Sequence, residues 1–109
     1  MKRGDQEGAG HRHLRLEQSI LEELRAILRD DISDPVLEGA RFSAVVLSPD
    51  YRSARVHFLT SKGSSRPDVE RAFERAGAFM RGRLAEAIEL KRTPELRFVF
   101  EAEAADGLD

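Results

Sequence analysis

Basic side chains are concentrated between positions 71 and 92, and they are the residues of this sequence best suited to binding chemistry. From Arg75 to Arg92 the chain has five basic residues against two acidic ones, although its formal net charge is −2. Arg and Lys bind phosphate groups, and a local excess of positive charge matters more than the total. An ordinary solvated helix face has the same pattern, so charge alone leaves both interpretations open. The candidates for phosphate contact are Arg71, Arg75, Arg81, Arg83, Lys91 and Arg92.

Three small residues, Ala76, Gly77 and Ala78, lie within this basic segment. Glycine inside a helix costs about 1 kcal/mol relative to alanine, so helix stability does not explain Gly77. One interpretation is a helix kink, at which the backbone comes within reach of a partner. The other is close packing of the helix against a neighbouring element. The residues alone leave these two interpretations open.

No group of residues in the sequence is arranged for catalysis. The pattern contains no paired carboxylates, no nucleophile beside a base and no cluster of metal ligands. His11 and His13 form the one close pair of potential metal ligands, but no cysteine or third nearby histidine accompanies them. We therefore expect a protein that binds and does not catalyse, without a metal ion or another cofactor.

Apolar spacing predicts the elements that position the basic segment. Residues 14–29 and 67–87 have apolar residues at steps of three and four, which is typical of amphipathic helices. Residues 41–48 and 53–60 are β-rich and are separated by a four-residue loop that suits an antiparallel hairpin. A third strand with alternating apolar residues follows Pro94. With the kink included, the predicted order is α-β-β-α-(kink)-α-β.

This order predicts an α+β fold in which helices pack on one face of a three-stranded mixed sheet. A right-handed crossover makes the second and third strands parallel, and the hairpin makes the first antiparallel to the second. Residues 1–12 contain three glycines and no large apolar side chain beyond Met1, so they are predicted to be a flexible tail. Residues 13–101 would then form the domain and residues 102–109 an acidic tail.

The order of elements is that of a type II KH domain, and several residue strings resemble the ribosome-binding factor A family, a family of bacterial small-subunit assembly factors. The resemblance extends from about Arg15 to Glu101 and rests on the order and spacing of its pieces together. The pieces are ILEELRAIL, ISDPVL, SPDYRSARVHF, ERAGAFMRGRL and LKRTPELRFVFE.

This resemblance implies a function that the residues alone do not show. KH domains clamp four nucleotides with a GXXG loop, whereas the family resembled here has an Ala-X-Gly helix kink in its place. Ala76, Gly77 and Ala78 match that kink with the glycine one position earlier, and Arg81 matches an arginine that commonly follows it.

The resemblance implies a non-enzymatic ribosome assembly factor that binds free, immature 30S subunits through 16S rRNA and supports late maturation of that RNA. We expect a cytoplasmic monomer without a small-molecule substrate, and no apolar run is long enough to span a membrane. One alternative is a KH-like module with a different RNA target. Another is a protein-interaction domain whose acidic tail binds a basic partner.

Overall fold

The computed structural model describes residues 3–104, with side chains from residue 10 onward. Two helices and a three-stranded sheet confirm the predicted α+β class, and the arrangement is that of a type II KH-like domain. The elements are α1 (Arg3–Asp31), a 3₁₀ helix (Pro35–Leu37), β1 (Arg41–Leu47), β2 (Ser53–Thr60), α2 (Arg66–Ala87) and β3 (Glu95–Glu103).

The sheet has the strand order β1, β2, β3, which confirms the predicted mixed topology. β1 and β2 are antiparallel, with Val45 opposite Val56. β2 and β3 are parallel, with Val56 opposite Phe98. Parallel neighbours need a crossover connection, and α2 supplies it by packing back against β3.

The core lies between the helices and one face of the sheet. Phe73 of α2 is fully buried, and its ring centroid lies 4.9 Å from the rings of both Phe58 and Phe98. α1 contributes Ile20 and Leu24, which are also fully buried. Burying a large apolar side chain stabilises a fold by about 1.5–3 kcal/mol. The aromatic contacts of Phe73 therefore fix the rotation of α2 about its axis, and with it the residues that α2 presents to solvent.

The N-terminal helix begins earlier than its composition predicts. The sequence predicts a flexible tail through residue 12, and the structure shows that this segment is helical from Arg3 onward, because α1 continues back to that residue. Extending an existing helix by one residue requires no new nucleation, so a segment without an apolar face can still be helical. The division of the chain into tail and domain stays a prediction.

Helix α2 is a single helix where the sequence predicts two helices joined by a kink. It runs from Arg66 to Ala87 and remains helical through Gly77. The Ser65 side chain caps its start by accepting a hydrogen bond of 3.4 Å from the Asp68 N–H. The energetic cost of one interior glycine is too small to end a helix that is buried along one side.

Strand β3 extends two residues past the predicted domain boundary at residue 101. Leu59 and Thr60 of β2 pair with Ala102 and Glu103, so the first residues of the predicted acidic tail belong to the sheet. The rest of that tail, from residue 105 onward, lies outside the described residues.

Candidate nucleic-acid interface

All six basic candidates are exposed, but the structure does not bring them onto one surface. The buried stripe of α2, which includes Phe73, Met80 and Leu84, divides the helix into two flanks. One flank faces the end of α1 and the 3₁₀ helix, and the other faces β3. Lys91 and Arg92 belong to neither flank, because they lie in the loop after α2.

The flank beside α1 carries arginines that are already paired with carboxylates. The Arg75 guanidinium lies 3.5 Å from Asp34 Oδ2, and that of Arg83 lies 3.2 Å from Asp31 Oδ2. Phe79 lies between them with 47% of its surface exposed. Exposed ion pairs contribute only about 0–1 kcal/mol each to stability, but they cancel the charge that a phosphate would feel. We call the surface formed by Arg75, Phe79 and Arg83 the paired flank, and its ion pairs leave it with little net positive potential.

Arg71 is also paired, in this case within its own helix. Its guanidinium forms an ion pair and a hydrogen bond with Asp68, one turn earlier in α2. Pairs with this spacing stabilise a helix by about 0.2–0.5 kcal/mol. A phosphate group would compete directly with the Asp68 carboxylate for this arginine.

Arg81 has a structural role that its exposed position on a helix did not reveal. Its Nε donates to the Pro94 carbonyl oxygen at 3.1 Å, and its Nη2 donates to the Thr93 carbonyl oxygen at 2.6 Å. Pro94 is buried, so these bonds attach α2 to the loop that leads into β3. Arg81 thus positions the loop that carries Lys91 and Arg92.

Gly77 packs against the sheet. A Cβ atom built on it would lie 3.6 Å from Phe98 Cε2, which is an ordinary van der Waals distance. The groove beside it is lined by three acidic side chains, Glu70, Glu74 and Glu95, against two basic ones. This contact favours the packing interpretation of Gly77, while its role as an approach point for a polyanion stays a prediction.

Lys91 and Arg92 are the two candidates with neither a salt-bridge partner nor a side-chain hydrogen bond among the described residues, whereas Arg81 has no salt bridge but bonds to two backbone carbonyls. They share a cavity with Tyr51 and Arg52 from the loop between β1 and β2. The sequence indicated only a turn at this loop, so neither Tyr51 nor Arg52 was among the predicted RNA contacts. The signal was present, because the one tyrosine of the chain stands directly before an arginine.

Comparison with known proteins identifies the family. A family model described as ribosome-binding factor A matches residues 12–108. The chain belongs to the ribosome-binding factor A family. Ribosome-binding factor A from Vesicomyosocius okutanii subsp. Calyptogena okutanii is 34% identical over 103 residues, which cover 94% of this chain and 90% of that protein.

Solved structures of ribosome-binding factor A share this fold. The crystal structure of the protein from Thermus thermophilus has a TM-score of 0.74 at 25% identity, covering 80% of this chain and 93% of that one. A Thermus thermophilus ribosome-binding factor A model, fitted into a cryo-electron-microscopy map of its complex with the 30S subunit, has a TM-score of 0.67 at 26% identity. It covers 79% of this chain and 91% of that one.

Membrane spans and metal sites can be assessed for the described residues of this chain. None of their helices is both long and apolar enough to cross a membrane. They contain no group of three His, Cys, Asp or Glu side chains that could hold a metal ion. His13 instead contacts the protein itself, because its Nε2 donates to the Leu47 carbonyl oxygen at 3.2 Å and lies 3.4 Å from Glu17 Oε2.

Proposed function

We propose that this protein is a non-enzymatic assembly factor that binds the immature 30S subunit through 16S rRNA and supports late maturation of that RNA. The observation that carries the proposal is its likeness to the Thermus thermophilus protein fitted into a map of a 30S complex. The match to the family over residues 12–108 supports it. Binding of this kind requires no cofactor and no small-molecule substrate, and we expect a cytoplasmic monomer.

The basic residues supply the proposed contacts with RNA in two different ways. Lys91 and Arg92 have no carboxylate partner in the described part of the chain, so they can bind phosphate groups at once. Arg71, Arg75 and Arg83 must first exchange a carboxylate for a phosphate. Exposed pairs are worth at most about 1 kcal/mol, so such an exchange is feasible on a strongly anionic RNA surface. Arg81 acts mainly by holding the loop in place.

Co-sedimentation of the purified full-length protein with ribosomal particles tests this proposal. We expect association with free 30S subunits and not with assembled 70S ribosomes. The association should weaken as salt rises, because each phosphate contact adds about −0.7 to −0.9 to the log–log salt slope. Equal binding to unrelated structured RNA would favour the alternative of a different RNA target. Failure to bind any RNA or subunit would contradict the proposal and favour a protein-interaction domain.

A matched pair of variants separates local charge from total charge. Lys91→Gln with Arg92→Gln removes two positive charges from the loop before β3, and Arg41→Gln with Arg55→Gln removes two from the exposed side of the hairpin. The proposal expects the first variant to lose 30S association and the second to retain it. Equal losses would mean that net charge, and not this surface, controls the interaction.

A further inference from the structure

A cavity at one end of the molecule has the size and lining of a small ligand site. It lies between α1, the β1–β2 loop and the loop before β3, and its volume is about 340 Å³. Ligand sites in proteins have volumes of about 300–1,000 Å³ and combine an apolar lining with a few polar groups. Leu16 and Leu90 contribute apolar surface here, and Arg52, Lys91 and Arg92 contribute cations. We call this cavity, with Tyr51 at its edge, the loop-end pocket.

Tyr51 is held in a conformation that its residue type disfavours. Its φ is +64°, and no other residue of the described chain except Gly63 has a positive φ. Bulky residues rarely adopt this region, which glycine and asparagine occupy more easily. If this position served only to form the turn, glycine or asparagine would therefore fit it at a lower energetic cost than tyrosine. Strained backbone of this kind often marks a functional site, because the function of the side chain there outweighs the energetic cost of the strain.

A hydrogen-bond network holds the Tyr51 loop rigid. The Ser48 hydroxyl donates to Asp50 Oδ1 at 2.7 Å, and the Arg52 N–H donates to the same carboxylate oxygen at 3.0 Å. The Tyr51 ring packs against His13, with 4.9 Å between ring centroids, and 39% of Tyr51 is still exposed. The pocket thus has a fixed aromatic surface that a second flat ring can cover.

The charges around the loop-end pocket are positive and largely uncompensated. Arg52, Lys91 and Arg92 have no salt-bridge partner among the described residues, in contrast to the paired flank of α2. Asp50 is the one acidic residue that lines the pocket. Hydrogen bonds from the Ser48 hydroxyl and the Arg52 N–H lower the pKa of Asp50, so this carboxylate stays charged while it holds the loop. Three cations against one anion leave a net attraction for phosphate groups.

We propose that the loop-end pocket binds one unpaired nucleotide of single-stranded RNA, with the base stacked on Tyr51 and adjacent phosphates bound by Arg52, Lys91 and Arg92. This inference rests on the proposed function, because it specifies which kind of RNA segment the protein recognises. Unstacked bases in loops and ends are the parts of RNA that stack on aromatic side chains. A duplex keeps its bases inside the helix and would not cover the Tyr51 ring. An acidic peptide would satisfy the cations without using that ring.

The composition of the chain gives a direct probe of this stacking. Tyr51 is the only tyrosine, and the chain has no tryptophan. The full-length protein with ¹³C-labelled tyrosine therefore has a single set of tyrosine ring signals in NMR spectra. We expect a short single-stranded RNA to shift these signals upfield through the ring current of the stacked base. A duplex of the same sequence and inorganic polyphosphate should leave them nearly unchanged. No shift at saturating single-stranded RNA, or an equal shift with polyphosphate, would overturn the proposal.

Two substitutions of Tyr51 separate stacking from loop structure. Tyr51→Phe keeps the ring, so its affinity for single-stranded RNA should stay within about twofold of the original, as expected when stacking dominates. Tyr51→Asn suits a positive φ but removes the ring, so the affinity should fall by about 10- to 100-fold in a folded protein. Phe79→Ala is the matched control, because it removes the exposed aromatic ring of the paired flank. A loss for Phe79→Ala as large as that for Tyr51→Asn would overturn the pocket assignment.

Co-sedimentation distinguishes failure of this inference from failure of the proposed function. Suppose that Tyr51→Asn still associates with 30S subunits at full strength, and that single-stranded RNA does not shift the tyrosine ring signals of the unmodified protein. The assignment of the loop-end pocket as a nucleotide site is then wrong, and the proposed function stands. If the unmodified protein does not associate with 30S subunits, the proposed function fails. The RNA titration then still decides whether the pocket binds a nucleotide.

Discussion

The paired flank of α2 and the loop-end pocket both carry basic side chains, but those of the flank are paired with carboxylates and those of the pocket are not. Arg75 and Arg83 of the flank lie within 3.5 Å of Asp34 and Asp31. Lys91 and Arg92 of the pocket face no carboxylate within salt-bridge distance in the described structure. The difference shows that a count of basic residues along the sequence overstates the charge of α2. The basic segment is one stretch of sequence but two surfaces.

The largest effect should come from removing the unpaired cations. Lys91→Gln with Arg92→Gln should weaken 30S binding by at least about tenfold at physiological salt, because two phosphate contacts are lost. The log–log salt slope should become shallower by about 1.4–1.8. Filter binding at several salt concentrations measures both quantities. Arg75→Gln with Arg83→Gln is the comparison variant, and a larger loss there would reverse the ranking of the two surfaces.

A second effect concerns Arg81, which connects the two regions. Arg81→Gln should destabilise the fold by about 1 kcal/mol, because two hydrogen bonds from a charged donor to backbone carbonyls are lost. Arg75→Gln should change stability by no more than about 0.5 kcal/mol, as is usual for surface substitutions. Urea denaturation of both variants measures the difference. Equal stabilities would show that the Arg81 bonds to Thr93 and Pro94 do not hold the loop.

The contrast between Arg81 and its neighbours shows where sequence reasoning succeeds and where it stops. Local periodicity predicted the hairpin and the buried side of α2, and the general rule that crossovers are right-handed predicted the parallel pairing of β2 with β3. Ion-pair partners depend on tertiary structure. Arg83 and Asp31 are 52 positions apart in sequence, and no local pattern joins them. Composition likewise did not show that residues 3–12 are helical, because an existing helix can continue through a segment that has no apolar face.

The loop-end pocket was not predictable for a similar reason. Its parts come from α1, the β1–β2 loop and the loop before β3, which only the fold brings together. Lys91 and Arg92 were chosen by their charge and their position in the sequence, while Tyr51 and Arg52 looked like ordinary turn residues. The positive φ of Tyr51 is a property of the backbone that the sequence does not display.

A smaller effect tests whether the pairing on α2 conceals a second RNA surface. Asp31→Asn with Asp34→Asn removes the carboxylate partner of Arg75 and one of the two partners of Arg83, whose other partner, Glu86, stays at 3.4 Å. Asparagine at position 34 keeps an oxygen that can cap the 3₁₀ helix through Val36 N–H. If the flank lies near RNA, binding should become about fivefold stronger at low salt, because added positive charge raises attraction to phosphate. Glu22→Gln with Glu38→Gln adds the same charge elsewhere on the exposed surface. Equal gains in the two variants would show that the flank has no specific contact.

The smallest effect concerns two glycines on different sides of α2. Gly82 faces open space, and a Cβ on Gly77 would make an ordinary contact with Phe98. Both Gly77→Ala and Gly82→Ala should therefore stabilise the fold by roughly 0.5 kcal/mol or slightly more, since alanine favours helix. Thermal unfolding measures the change. A clear loss of stability for Gly77→Ala alone would mean that the backbone there needs a conformation that alanine cannot adopt.

Ultraviolet crosslinking of the full-length protein to immature 30S subunits, followed by mass spectrometry of the crosslinked peptides, tests the central claim most directly. We predict crosslinks to 16S rRNA from the β1–β2 loop around Tyr51 and from the loop that contains Lys91 and Arg92. The paired flank of α2 should give fewer. Crosslinks to 16S rRNA that map only to α2, or an absence of crosslinks to 16S rRNA, would contradict this assignment.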